Sequence, residues 1–231
     1  VSTTGHPIND LAIGLITAPR APTLITETLA SIRGAGFDQN ISIFAEPGST
    51  FPNDKDLQIH ENRDRLGNVR NWLAAASRMR AKEWDFLLMC EDDFTLCRSS
   101  KHCLYQLIET KGGDADFGLA SLYTPTRNIK KVNLDEQAGW VPLPVGSAGW
   151  GAQALCFSRR SFTSYMGSAE VGLLDPEAEF IDISVYSCFK RLGLATYFHL
   201  PSLARHDGRN CSTIGHPNFI EFNAVDFDPD F

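Results

Sequence analysis

Apolar residues fall in short blocks, and the blocks follow two different periods. Leu11–Thr17 (LAIGLIT) and Ile41–Glu46 (ISIFAE) are nearly continuous apolar runs of strand length, the pattern of strands covered on both faces. Pro19 and Pro22 set a turn between the first run and a helix-like TLITETLASIRGAG, and Pro47-Gly48 ends the second run. A short segment near Leu57–His60 reads as a third strand. From Gly67 to Lys82 the apolar positions Val69, Trp72, Leu73, Ala76 and Met79 recur at three- and four-residue steps, which predicts a helix. Trp84–Cys90 is apolar throughout most of its length and reads as a strand again. The order β-α-β-β-α-β predicts a Rossmann-like sheet flanked by helices.

The second half changes character after a helix expected over Ser99–Thr110. Phe117–Tyr123 and Gly151–Ser158 read as strands separated by a loop-rich stretch holding Gly139, Pro142, Pro144 and Gly146. Ser161–Gly167 is expected to form a short helix. Asp175-Pro176 is expected to open a longer one that runs to about Leu192 and stops at Gly193. ATYFHLP is the last strand, and neither an internal repeat nor a low-complexity linker interrupts the chain. A single domain over residues 1–231 is expected, with about 11–95 as its nucleotide-binding half and about 96–215 completing the site.

Composition limits the partners. A net charge of -7 argues against generic binding to nucleic acid or to an anionic membrane surface. No apolar run approaches the roughly 20 residues that a membrane-spanning helix needs, and VSTTGHPIND lacks the basic and apolar regions of a secretory signal. The six cysteines form no CxxC pair and no zinc spacing, and several lie in apolar runs. Buried free thiols are expected, and with them a reducing, cytoplasmic location.

The chemistry gathers where the first half ends, at Glu91-Asp92-Asp93. Ligands of parallel α/β sheets bind beyond the carboxyl ends of the strands, where these acids emerge. Three adjacent carboxylates repel one another, and a divalent cation shared with a phosphate is their simplest partner. A polar loop that happens to follow a core strand is the plain alternative. Further along lie Gly146-Ser147-Ala148-Gly149-Trp150-Gly151, then Glu179-Phe180-Ile181-Asp182, then Arg205-His206-Asp207-Gly208 with Ser212. Small residues let a backbone approach a ligand closely, and a tryptophan offers a flat face to a pyranose.

Together these four segments resemble glycosyltransferases of the GT-A fold, over nearly the whole span Leu11–Ser212. The resemblance implies a mixed, mainly parallel α/β sheet flanked by helices. It makes Glu91-Asp92-Asp93 a DxD-type motif in which Asp93 binds Mn2+ or Mg2+ beneath the donor diphosphate. Glu91 then faces the ribose or a metal-bound water, and Asp92 completes the donor-binding motif. By the same resemblance Gly149 and Trp150 contact the donor sugar, His206 is a second metal ligand, and Ser212 helps hold the diphosphate. Asp182, eleven residues before Gly193, takes the place of the general base of inverting members. Relatives carry Glu where Ile181 stands, so that motif is incomplete, and Glu179 is the rival base. Thr17, Pro19, Arg20, Glu46, Arg65 and Asn71 fall where relatives surround the base and ribose.

The implied activity is metal-dependent, inverting transfer of a sugar from a nucleoside diphosphate donor, UDP by preference, to a hydroxyl acceptor. Three alternatives stay open: a retaining transferase, a sugar nucleotidyltransferase, and a non-catalytic sugar-nucleotide-binding domain. The second lacks its Gly-rich phosphate loop after the first strand.

Overall fold

Period-two alternation splits each central strand between two cores. In β1 (Leu11–Thr17), Leu11, Ile13 and Leu15 join one apolar cluster while Ala12 and Ile16 join the other. In β4 (Phe86–Glu91), Phe86, Leu88 and Cys90 face the first cluster, and Leu87 and Met89 face the second. A strand apolar at every position is one buried on both faces, so helices must cover both sides of the sheet. The computed structural model describes residues 10–132, 138–144, 147, 149–177, 180–207 and 223–231.

The first half follows the expected order: β1, α1 (Ile25–Gly34), β2 (Ile41–Ala45), β3 (Gln58–Glu61), α2 (Asn68–Arg80) and β4. Strands β3, β2, β1 and β4 lie side by side and parallel. The second half adds β5 (Phe94–Leu96), α3 (Ser100–Lys111), β6 (Phe117–Ser121), α4 (Thr126–Val132), β7 (Gly139–Pro142), β8 (Ala154–Ser158), α5 (Arg159–Met166), α6 (Ala169–Leu173), α7 (Ile181–Leu192), β9 (Ala195–Leu200) and β10 (Ala204–His206). Strand β8 pairs antiparallel with both β4 and β6, β6 pairs parallel with β9, and β7 closes the edge antiparallel to β9. The sheet order is therefore β3-β2-β1-β4-β8-β6-β9-β7. Leu29 and Ile32 of α1 and Leu104 and Ile108 of α3 cover one face; Trp72, Phe162 and Phe189 from α2, α5 and α7 cover the other.

Three departures from the sequence expectation matter. Asp175-Pro176 does not open a helix: Asp175 Oδ1 accepts the Glu177 N–H at 3.0 Å, closing a local turn. Leu174 and Phe180 are both extended, so α6 and α7 are separate and α7 starts only at Ile181. The stretch expected to be loop carries α4 and β7. The residues following the acidic triad form β5, which pairs with β10 in a two-stranded ribbon outside the main sheet. Gly193 does end α7, in the left-handed conformation (φ 66°), with its N–H bonded to the Lys190 carbonyl.

Among the described residues no helix is long and apolar enough to cross a membrane, and the five described cysteines are buried and free. The core makes a direct prediction. Phe162 is fully buried, edge-on to Trp84 and Phe157. Phe162→Ala is expected to lower the free energy of unfolding by about 3–5 kcal/mol in urea denaturation.

Candidate functional site

The acids sit at a junction of two sheets. Strand β4 ends at Glu91 on the carboxyl rim of the main sheet, and β5 begins at Phe94, leaving Asp92 and Asp93 in the step between. Phe94 and Leu96 are buried while Thr95 is half-buried, the alternation of a strand with one covered face. Antiparallel pairing sets Phe94 opposite His206, and the Asp207 N–H donates to the Asp93 carbonyl at 2.7 Å. Thr95 Oγ1 donates to Asp207 as well. This ribbon carries His206 Nε2 to 3.3 Å from Asp93 Oδ2.

Arg20 completes the charge cluster. Its guanidinium pairs with Asp93 Oδ2 through Nη1 at 2.8 Å and with Asp92 Oδ1 through Nη2 at 2.6 Å. Asp92 Oδ2 accepts from Thr17 Oγ1, and the carbonyls of Asp92 and Phe94 both accept from Thr28 Oγ1. Both carboxylate oxygens of Asp92 are thus engaged within the protein. Burial pushes its acid up to about 6, outweighing the pull of Arg20. At Asp93 the balance reverses: burial would raise it, but the His206 bond and the Arg20 charge hold it well below the ordinary carboxylate range. At His206 burial opposes the cation, and the Asp93 bond outweighs it and holds the imidazole above its usual value.

Glu91 lies beside this cluster and differs from it. Its oxygens accept from Asn68 Nδ2 at 3.3 Å and from Gln153 Nε2 at 3.1 Å. Burial first, and the neighbouring Asp93 charge second, push its acid up to about 7. Asp182, second residue of α7, takes the Gly151 N–H on Oδ2 and the Ile183 N–H on Oδ1, each at 2.8 Å. Its charge is also felt at Glu91. Gly151 has φ 99°, and a Cβ there would meet the Tyr123 ring at 2.6 Å. Tyr123 in turn lies edge-on to His206. Glu91, Asp93, His206 and Asp182 therefore belong to one neighbourhood.

The remaining expected residues divide. Trp150 is in this region, with the Arg127 guanidinium stacked 4.0 Å over its ring and its carbonyl bonded to Asn128 Nδ2 at 3.0 Å. Gly149 is small because the Tyr186 ring lies flush against it, where a Cβ would sit 2.5 Å from a ring carbon. Glu46 and Asn71, expected at the base and ribose, each bond the chain itself. Both Glu46 oxygens accept the Leu66 N–H, at 2.8 and 3.1 Å. Asn71 donates to the Thr17 and Phe44 carbonyls and accepts from Asn62, tying β1 and β2 to the loop before α2. Pro19 packs beside Gly48 on the rim, and Arg65 is exposed just before Leu66, Glu46's loop contact. Glu179 and Ser212 lie outside the described residues. Asn68, Gln153, Thr28 and Asn128 were not singled out from sequence; a lone Gln inside the apolar GAQALCFS was the one available signal.

The residues present suit a cation that a substrate helps to hold. Asp93 Oδ1 is buried without a hydrogen-bond partner, so one carboxylate oxygen next to His206 has a lone pair to give. Among the described residues no three His, Cys, Asp or Glu side chains group closely enough to cage an ion alone. Two protein donors plus phosphate oxygens is the usual arrangement for Mg2+ at a nucleotide. A cation there would also displace the proton that Asp93 stabilises on His206.

Neither a protein-family model nor a curated protein matches the chain. Solved structures do. One is a mannosyltransferase from Pyrobaculum calidifontis in complex with GDP-Man and Mn2+, at TM-score 0.55 and 16% identity over 84% of this chain. Another is GalNAc-T7 with UDP, GalNAc and Mn2+, at TM-score 0.57 and 12% identity over 86% of this chain. The fold is GT-A. The chain spans 55% and 43% of the lengths of those two proteins.

The charge cluster makes its own prediction. Arg20, Asp92 and Asp93 are each almost wholly buried at the side chain, so removing the cation leaves two carboxylates in low dielectric. Arg20→Gln is expected to cost about 3 kcal/mol or more of stability at neutral pH without added metal, read by urea denaturation.

Proposed function

We propose that the chain transfers a sugar from a nucleoside diphosphate donor to a hydroxyl acceptor, with inversion and with Mn2+ or Mg2+. The observation that carries this reading is the meeting of Asp93 and His206 at the carboxyl rim of a GT-A sheet, with Asp93 Oδ1 buried and unsatisfied. Asp93 through Oδ1 and His206 through Nε2 would hold the ion. When bound, a divalent cation stabilises the negative charge that builds on the diphosphate as the anomeric bond breaks.

The chain's own groups supply the rest. Arg20 helps keep Asp93 ionised and orients both carboxylates before the donor arrives. Glu91, steadied by two side-chain amides, faces the donor beside the ion site. Asp182 takes the acceptor proton as the hydroxyl oxygen attacks the anomeric carbon. Its two oxygens accept the Gly151 and Ile183 N–H groups, which fixes the carboxylate. A single displacement of this kind inverts the anomeric centre. The two structural neighbours were solved with guanine and uracil nucleotides and Mn2+, so UDP and GDP sugars lead the donor candidates.

A thermal-shift screen of UDP-, GDP- and dTDP-hexoses tests the reading. The midpoint is expected to rise with a nucleotide sugar and Mn2+ together, and not with either alone. No shift with any pair would contradict the proposal. Asp93→Asn is expected to abolish that shift. Asp182→Asn is expected to keep the shift while lowering kcat for nucleoside diphosphate release by about 100-fold or more. An Asp182→Asn variant of full activity, or a product of retained configuration, would remove Asp182 from the base role.

A further inference from the structure

Gln153 stands between the two ends of the proposed reaction, and beyond steadying Glu91 it carries an amide oxygen that neither end uses. Its backbone carbonyl accepts the Glu91 N–H at 3.1 Å, where β8 enters beside the end of β4. Its side-chain Nε2 donates to Glu91 Oε2 at 3.1 Å. With Nε2 on Glu91, the other end of the amide, Oε1, turns the other way. Oε1 is buried and has no hydrogen-bond partner. It lies 3.0 Å from where a Cβ on Gly151 would stand, and Gly151 is the residue whose N–H holds Asp182. Buried acceptors are nearly always satisfied in native proteins, and one left open beside a candidate base points to a ligand that satisfies it.

We infer that Gln153 Oε1 accepts a hydrogen bond from a hydroxyl of the transferred sugar and so selects the donor. The inference rests on the proposed function. A sugar in transit must reach from a diphosphate at Asp93 and His206 to an acceptor at Asp182. Gln153 touches Glu91 on the first side and faces Gly151 on the second. The missing Gly151 side chain leaves Oε1 uncrowded on that face, since a Cβ would press on both Oε1 and the Tyr123 ring. Asn68, by contrast, contacts Glu91 from the α2 side and serves only to steady it.

Isothermal titration with Mn2+ separates the two roles, using the nucleotide sugar giving the largest thermal shift and its parent nucleoside diphosphate. Gln153→Met is expected to weaken the nucleoside diphosphate no more than Asn68→Leu does, and to weaken the nucleotide sugar about tenfold or more beyond that, the scale of one lost buried hydrogen bond. Asn68→Leu is expected to change both ligands by the same factor. Deoxy analogues of the donor sugar supply an arm that needs no variant. One deoxy position should weaken binding to wild type about tenfold and lose nothing further on Gln153→Met. Equal weakening of both ligands by Gln153→Met, or no effect of any single deoxy position, would overturn the inference. A wild-type chain that binds neither probe would overturn the proposed function, and the inference with it.

Discussion

Three antiparallel residue pairs, Ala204–Leu96, Arg205–Thr95 and His206–Phe94, hold the candidate site together. The main sheet places the acids at its rim, but the short β5–β10 ribbon delivers an imidazole to them from far along the chain. Asp207 N–H to the Asp93 carbonyl closes the end of that ribbon, and Thr28 ties down its β5 side by bonding the carbonyls of Asp92 and Phe94. With so many backbone groups satisfied, the side chains of Asp93 and His206 have little freedom to separate. Preorganisation of this kind lets fixed charges act on a substrate without reorganising at the moment of reaction.

Arg20 gives the cluster a second constraint. Two buried carboxylates one residue apart need a cation in the resting protein, and the guanidinium bridges them. It uses Asp93 Oδ2, the oxygen His206 also approaches, and leaves Oδ1 open. The same aspartate can therefore serve a structural pair and an incoming ion with different oxygens. Asp92, by comparison, has both oxygens engaged, one by Arg20 and one by Thr17.

Much of this was legible in the sequence where a single strand or helix carried the signal. The apolar runs of β1 and β4 gave their burial, and the abrupt change at Glu91 gave the rim. Gly193 marked the end of α7 because a left-handed residue is needed there. Most of what escaped was fixed by distant partners. FTL and ARH are too short to read as strands alone; each exists through pairing with the other. Glu46 and Asn71 carry the right chemistry for a nucleotide, and the bonds they make to the loop before α2 depend on contacts the sequence does not show. Asp175-Pro176 matched a helix start, and the local Asp175–Glu177 bond took the aspartate for a turn instead. Gln153 was hidden in a core strand, and only its open amide oxygen distinguishes it.

The central claim is that Asp93 and His206 jointly ligate a cation under a diphosphate. Anomalous scattering from crystals grown with Mn2+ and UDP or GDP tests it most directly. A manganese peak within about 2.0–2.6 Å of Asp93 Oδ1 and of His206 Nε2, with diphosphate oxygens on its open side, is the predicted result. Nucleotide bound at the rim with no manganese between these two side chains would contradict it.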